Sequence, residues 1–357
     1  MDTHHNNFDF LRWLAASMVL CSHEYAVLGR GGEEPMARLT AGFATFGTLG
    51  VDIFFAISGC LVTASLVRRG NLAYFVASRA LRIVPGLVVA LVVSALLIGA
   101  LATTLPLADY FRDVSTWRYI SRGIALHDLQ WTLPGVFASA PAAGVVNGSL
   151  WSLWPEVQMY AIVALLGAVA WVCRAPRRTV LLAGMALVAA IALLHHPDRA
   201  GQHLEGPALA RLAVVFAFGA IVGLWGWRAR VGWTLFVLAA LGALLLRHSQ
   251  AFVALFDLAV VLGVLGIAYA PLGRLRNFGR FGDWSYGMYV YAFPVQQLVA
   301  LYAPALGLPA HFAIAYATTL ALGALSWHLV EAPALSLKHV LLPRFAAPRL
   351  NAAQPRG

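Results

Sequence analysis

The chain has 357 residues, of which 61% are hydrophobic and only 11% are charged. A soluble domain carries roughly 25% charged residues, so this composition excludes both a soluble globular protein and a disordered one. The mean hydropathy of +0.76 predicts a chain embedded in a lipid bilayer. The net charge of +10 is typical of basic membrane loops, and we predict no nucleic-acid partner because no basic run is interleaved with exposed aromatic residues.

Ten apolar segments are long enough to cross a bilayer, which takes about 20 mostly apolar residues. We therefore predict an all-α polytopic membrane protein with about ten transmembrane helices. The predicted spans are roughly 8–28, 43–66, 84–104, 150–172, 179–195, 207–226, 231–247, 251–270, 284–304 and 309–331. Asp9 and Arg12 interrupt the first apolar run, which is not typical of a cleavable leader, so we expect this helix to remain.

The distribution of basic residues predicts the orientation of the chain. With the N-terminus inside, the inner loops and the C-terminal tail carry twice as many Lys and Arg residues as the outer loops, so both termini are predicted to be cytoplasmic. The transmembrane domain is predicted to cover residues 1–335, and residues 336–357 to form a short, disordered cytoplasmic tail. The long outer loop at about 105–149 is either a binding element or an interfacial cover with anchoring aromatic residues.

Ionisable residues inside the predicted spans are candidate functional residues, since each costs roughly 2.5–3.5 kcal/mol on insertion scales. His23 follows Arg12 by eleven residues, close to three helical turns, so both lie on one face of the first helix. Asp52 and Glu156 lie in the outer parts of the second and fourth helices, at a depth similar to that of His23. A histidine near a buried carboxylate is the usual arrangement of a general base and its partner. A structural polar cluster is the alternative.

A second polar group lies at the predicted inner surface. Arg79 and Arg82 are three residues apart, and paired guanidinium groups suit phosphates, although anchoring at the membrane surface explains them equally well. The last two helices add Asp283, Ser285, Tyr286, Trp327, His328 and Glu331 to this surface. They either help to bind a ligand or tie the helix ends together. One cluster on each side suggests a phosphorylated donor inside and an acceptor outside.

The three cysteines have no spacing typical of metal ligands, and we predict no metal site. Six segments, in order and over nearly the whole chain, resemble those of the acyltransferase-3 family of integral-membrane acyltransferases. They are NNFDFLRWLAASMVLCSHEYAV, GVDIFFAISGCLVTASL, ASRALRIVPGL, NGSLWSLWPEVQMY, FGDWSYGMYVYAFPVQQ and SWHLVEAPAL. The resemblance implies a ten-helix O-acyltransferase of the bacterial cytoplasmic (inner) membrane that modifies surface sugars and related molecules.

The resemblance also implies roles for individual residues. The family's Arg-x10-His motif falls on Arg12 and His23, with His23 as the catalytic histidine. Its Arg-x-x-Arg motif, linked to use of the acyl-CoA donor, falls on Arg79 and Arg82, and its acidic position falls on Glu156.

Many members carry a histidine in the ninth helix where this chain has Ala292, so a role of that histidine does not transfer. The predicted catalytic residues are His23, Glu156 and Asp52. The predicted donor-binding residues are Arg12, Arg79, Arg82, Ser285, Tyr286 and His328.

The predicted reaction moves an acyl group, most simply acetyl, from cytoplasmic acyl-CoA to a hydroxyl of a carbohydrate or glycolipid acceptor at the outer face. Acyl-CoA is a co-substrate, and no other cofactor is predicted. Direct transfer and an acylated His23 are both open, as are the identity of the acceptor, the acyl length and the oligomeric state. A transporter or flippase of a sugar or lipid-linked substrate, with a buried charge relay, is the alternative function.

Overall fold

A computed structural model describes residues 6–40, 42–142, 144–195, 205–247, 249 and 251–341. These residues are predominantly helical and contain no β-strand. The long helices are α1 (Phe8–Val27), α2 (Phe46–Arg69), α3 (Leu72–Val92), α4 (Leu153–Val172), α5 (Arg177–Leu194), α6 (Glu205–Trp225), α7 (Ala229–Leu245), α8 (Ala251–Tyr269), α9 (Ser285–Tyr302) and α10 (Leu308–Ser326).

Shorter segments connect or extend these helices. A π-helix and a helical turn extend α3, a 3-10 segment leads into α4, another precedes α9, and a π-helix and a last helix extend α10. The short segments are Gly31–Glu33, Pro35–Leu39, Val93–Ile98, Gly99–Ala102, Leu107–Arg112, Val114–Ala125, Gly148–Ser152, Gly273–Phe281, Trp327–Glu331 and Ala332–Leu341.

Seven of the long helices in the described part of the chain are long and apolar enough to cross a membrane. They are α2, α3 with its extension, α4, α5, α6, α8 and α10 with its extension. Helices α1, α7 and α9 also lie at predicted spans, but α7 has only 17 residues and α1 and α9 carry many polar residues. The polytopic all-α fold is confirmed, whereas the count of ten crossings and the side of each terminus stay predictions.

The predicted tail begins differently in the structure. Residues 336–341 continue the helix Ala332–Leu341 rather than forming an irregular segment. Residues 342–357, the rest of the predicted tail, lie outside the described residues.

Helices α2 and α6 pack backbone against backbone. A Cβ atom added to Gly59 would lie 2.1 Å from the Phe216 carbonyl oxygen, and one added to Gly219 would lie 2.3 Å from the carbonyl oxygen of Ala56. Small residues let helices approach this closely, and in lipid the association then depends on van der Waals contact rather than on the hydrophobic effect. This pair fixes the position of α2, which lines the candidate site.

We expect Gly59→Ala to destabilise the protein, because the new methyl group overlaps a main-chain oxygen that no side-chain rotation moves. Overpacking of this kind costs about 1–3 kcal/mol. Gly242→Ala is the matched control, since a Cβ there lies 3.2 Å from the flexible end of Leu255. Thermal unfolding of both variants in detergent measures the difference. Equal melting temperatures would contradict the close α2–α6 contact.

Helix α9 occupies the centre of the bundle. Every residue from Ser285 to Gln297 is buried, although serine, tyrosine and glutamine are among them. Gly86 of α3 lets this helix approach, because a Cβ there would lie 2.7 Å from the Tyr286 ring. Polar side chains in such a position need partners or a ligand inside the protein. The centre of the bundle around α9 is therefore where the candidate site is found.

Candidate active site

A cavity of about 80 Å³ lies among α1, α2, α3, α4 and α9, and we call it the arginine cavity. Three arginines and one carboxylate give the lining a positive charge. The polar lining residues are Arg12, Ser58, Arg79, Arg82, Ser152, Glu156, Tyr160, Ser285, Tyr286 and Tyr289. Five of the six predicted donor-binding residues are thus brought together, and Glu156 joins them.

Arg82 is held by two carboxylates on one wall of this cavity. Its Nη2 lies 2.6 Å from Asp283 Oδ2, and its Nη1 lies 3.4 Å from Glu331 Oε2. Arg12 Nη1 lies 3.5 Å from the same oxygen of Asp283. Ser326 donates a hydrogen bond of 3.0 Å to the buried Glu331. Asp9 lies closer still to Arg12, with 3.0 Å between Nη1 and Oδ1. Two arginines and three carboxylates therefore form one network that joins α1, α3, the start of α9 and the end of α10.

The charge of Asp283, which lies in the turn before α9, follows from this network. Burial by itself raises the pKa of its carboxyl group, but Arg82 and Arg12 outweigh burial and hold the pKa below its ordinary value. The Ser285 side chain and backbone N–H also donate hydrogen bonds to the carboxylate. Asp283 is therefore ionised at neutral pH and keeps both guanidinium groups in place.

Arg79 has a different environment from Arg82. It makes no ion pair within the described residues, and its guanidinium carbon lies 5.8 Å from the centroid of the Tyr160 ring. Tyr160 donates a hydrogen bond to Glu156, which also accepts one of 3.3 Å from Ser58. The Arg79 cation therefore faces the cavity without a carboxylate partner, as a site for an anionic ligand requires.

His328, the sixth predicted donor-binding residue, does not line the arginine cavity. Its side chain is exposed, whereas Glu331, three residues later, is buried against Arg82. Both residues lie in the π-helix Trp327–Glu331, whose turn is wider than an α turn, so residues three apart do not share a face. The structure therefore separates His328 from the other predicted donor residues.

His23 lies beyond the arginine cavity. Its ring packs edge-on against Phe293, with 5.2 Å between ring centroids, and Phe293 follows the cavity residue Tyr289 by about one turn of α9. The Nδ1 atom of His23 is buried and has no hydrogen-bond partner in the part of the chain that the structure describes. A buried polar atom without a partner is costly, and such atoms are often found at functional sites.

The neighbour of His23 forms a polar cluster that the sequence did not predict. Glu24 contacts Nδ1 of His311 and accepts a hydrogen bond of 2.6 Å from Gln296, which also donates to the Leu20 carbonyl oxygen. Glu24, Gln296 and His311 are all buried. Each lies on a different helix and belongs to no sequence motif that links it to the others. Only the position of Glu24 beside His23 hinted at this cluster.

Asp52 has a partner that the sequence did not suggest. Its carboxylate forms an ion pair with Arg211 of α6, and both side chains are buried. No hydrogen bond in the described ranges joins His23 to Asp52 or to Glu156. The structure therefore gives each of the three predicted catalytic residues different neighbours.

We expect Asp52→Ala to lower stability by about 3–5 kcal/mol, because it leaves Arg211 as a buried cation without this partner. The double variant Asp52→Leu, Arg211→Met replaces the pair with apolar side chains and is expected to recover both folding and activity. Thermal unfolding and catalytic activity check the two expectations. A double variant that folds but is inactive would instead give Asp52 a role in the reaction.

Comparison with known proteins identifies the family. Residues 5–328 match the model of the acyltransferase-3 family, described as an acyltransferase domain. The chain belongs to this family. It is 31% identical to an O-acetyl transferase of Shigella phage Sf6, over 91% of this chain and 95% of the relative. It is also 30% identical to nodulation protein 10 of Rhizobium leguminosarum bv. viciae, over 96% of each chain.

No solved structure matches this acyltransferase. The family match and the O-acetyl transferase relative confirm the prediction of a membrane O-acyltransferase and decide against the transporter or flippase. The matched residues include every side chain that lines the arginine cavity, as well as His23, Glu24 and His311.

Proposed function

We propose that this acyltransferase moves an acetyl group from acetyl-CoA to a hydroxyl group of a carbohydrate acceptor. The observation that carries the proposal is the arginine cavity, which presents Arg79 without a carboxylate partner among the described residues. Coenzyme A is a phosphorylated donor, and guanidinium groups match phosphate oxygens in charge and geometry. Arg79 takes a phosphate of the donor, while Arg12 and Arg82 add positive charge from the network with Asp283.

The donor enters from the end of the bundle that carries the arginines, which we place in the cytoplasm of a bacterial cell with the protein in its inner membrane. The thin pantetheine arm then extends along α9 past Tyr289. Phe293 must turn aside to admit the thioester to His23. The acceptor approaches His23 from the opposite end of the bundle.

The chemistry requires a base for the acceptor hydroxyl. His23 takes its proton, the oxygen attacks the thioester carbonyl carbon, and the carbon–sulfur bond breaks. The proton then passes to the thiolate, so the products are an acetyl ester and free coenzyme A. Acetylation of His23 followed by transfer to the acceptor gives the same products. Glu156 lies in the arginine cavity and contributes to the donor side of the reaction rather than orienting His23.

The test uses the full chain, purified in detergent and supplied with acetyl-CoA and a panel of mono- and oligosaccharides. Release of the free thiol measures donor consumption, and mass spectrometry detects a sugar that has gained one acetyl group. We expect both signals with at least one sugar, and neither with the His23→Ala protein. A folded protein that releases no coenzyme A with any sugar would contradict the proposal.

A further inference from the structure

A second cavity, of about 310 Å³, lies between residues 126–131 of the long loop and the start of α4. Three indole side chains line it, and we call it the tryptophan cavity. Trp131 belongs to the long loop, Trp151 to the 3-10 segment before α4, and Trp154 to the first turn of α4. It is separate from the arginine cavity, with which it shares no lining residue.

The start of α4 separates the two cavities. Ser152, Leu153 and Glu156 line the arginine cavity, whereas Trp154 and Gln158, among others, line the tryptophan cavity. Residues on opposite faces of the same helical turns therefore line two different cavities. A molecule bound in the tryptophan cavity is separated from the proposed donor site by only one helix.

Polar groups accompany the tryptophans. The side-chain oxygen of Gln158 is buried and has no hydrogen-bond partner among the residues that the structure describes. The His127 ring lies 5.9 Å from the Trp154 ring, and Asp128 lies 3.4 Å from Arg122 while more than half of its side chain is exposed. Gln158, His127 and Asp128 therefore give the lining of the tryptophan cavity side chains that can form hydrogen bonds.

We infer that the tryptophan cavity binds one sugar ring of the acceptor, next to the sugar that receives the acetyl group. This inference rests on the proposed function, because it assumes a carbohydrate acceptor. The flat indole rings match the apolar C–H face of a pyranose, and Gln158, His127 and Asp128 match its hydroxyl groups. A cavity of this size holds a sugar ring with its bound water.

Aromatic residues at membrane interfaces also serve as anchors, and anchoring by itself would explain tryptophans at this level. It does not explain why Trp131 of the loop and Trp154 of α4 line one cavity together with Gln158. Trp117 offers the comparison within the same loop. It is 51% exposed, does not line the tryptophan cavity, and donates its N–H to the Phe111 carbonyl oxygen.

The experiment compares a monosaccharide acceptor with a disaccharide that ends in the same sugar. The unmodified enzyme is expected to use the disaccharide with a KM about tenfold lower, since the second sugar adds a hydrogen bond and stacking on an indole ring. Gln158→Leu and Trp154→Ala are each expected to remove most of this preference. The KM for acetyl-CoA and the rate with the monosaccharide are expected to stay within about twofold. Trp117→Ala is the matched control and keeps the preference.

Three results would overturn the inference. The unmodified enzyme could show no preference for the disaccharide, or both variants could keep the full preference. The third result is that Trp117→Ala loses the preference as much as the two variants do. Because Trp154 is 36% exposed, its replacement decides the question if Gln158→Leu does not fold. In all three cases the unmodified enzyme still releases coenzyme A. Absence of that release would contradict the proposed function instead, so the two failures are distinguishable.

Discussion

Replacement of Arg79 by alanine is expected to raise the KM for acetyl-CoA by roughly ten- to a hundredfold and to leave the protein folded. Arg79 makes no ion pair among the described residues, so its removal leaves no carboxylate there without a partner. A hydrogen bond between charged groups contributes about 1.5–3 kcal/mol, which sets the size of the effect. Initial rates over a range of acetyl-CoA concentrations measure the KM, and Arg79→Lys is expected to keep part of the affinity.

Arg82→Ala is expected to destabilise the protein, whereas Arg79→Ala is expected to leave it folded, although both arginines belong to one Arg-x-x-Arg motif. The change leaves Glu331 buried without its cation and removes the shorter of the two contacts to Asp283. Loss of one partner from a buried ion pair costs about 3–5 kcal/mol, so the folded protein is expected to be scarce and to melt early. The variant Arg82→Ala, Glu331→Gln removes both charges and is expected to recover part of the stability.

The comparison of the two arginines tests the structure directly. From the sequence, both were predicted to bind the donor. If Arg82→Ala remains as stable as the unmodified enzyme and shows the same increase in KM as Arg79→Ala, both arginines contact the donor and the network around Asp283 is not structural.

The helices could be predicted from the sequence because a bilayer demands long apolar segments. The first span was predicted at 8–28 and the eighth at 251–270, and the helices are Phe8–Val27 and Ala251–Tyr269. The third span was predicted to begin at residue 84, yet α3 begins at Leu72. The added turns carry Arg79 and Arg82, which are tolerated within a long helix because their guanidinium groups face a cavity rather than lipid.

The pairing of buried charges could not be predicted, because it depends on which face of a helix meets which neighbour. The sequence predicted a similar depth for Asp52 and His23, but the Asp52 side chain points to Arg211. Adjacent residues point about 100° apart on a helix, so His23 and Glu24 have different partners although they share one depth. A hydropathy pattern records depth and segment length but does not record the neighbour of each helix.

His23→Ala is expected to lower the rate of acetyl transfer by at least about a hundredfold, since a general base contributes roughly 10²–10⁴ in rate. The folded protein is expected to accumulate normally. The buried Nδ1 atom makes no hydrogen bond in the described residues, so removing the ring breaks no hydrogen bond of that atom. The edge-on contact with Phe293 is lost. Coenzyme A release and thermal unfolding are measured on the same preparation.

His311→Ala is the matched control, because it also removes a histidine from this part of the bundle but leaves the buried Glu24 without that contact. It is expected to lower the melting temperature, whereas His23→Ala lowers only the rate. A His23→Ala enzyme with normal activity would show that the base is elsewhere, and Glu24 with His311 would then be the nearest alternative.

Incubation with radiolabelled acetyl-CoA and no acceptor separates direct transfer from transfer through an acetylated His23. Label that stays on the unmodified enzyme but not on His23→Ala indicates an acetylated histidine, whereas label on neither indicates direct transfer, with His23 acting only on the proton.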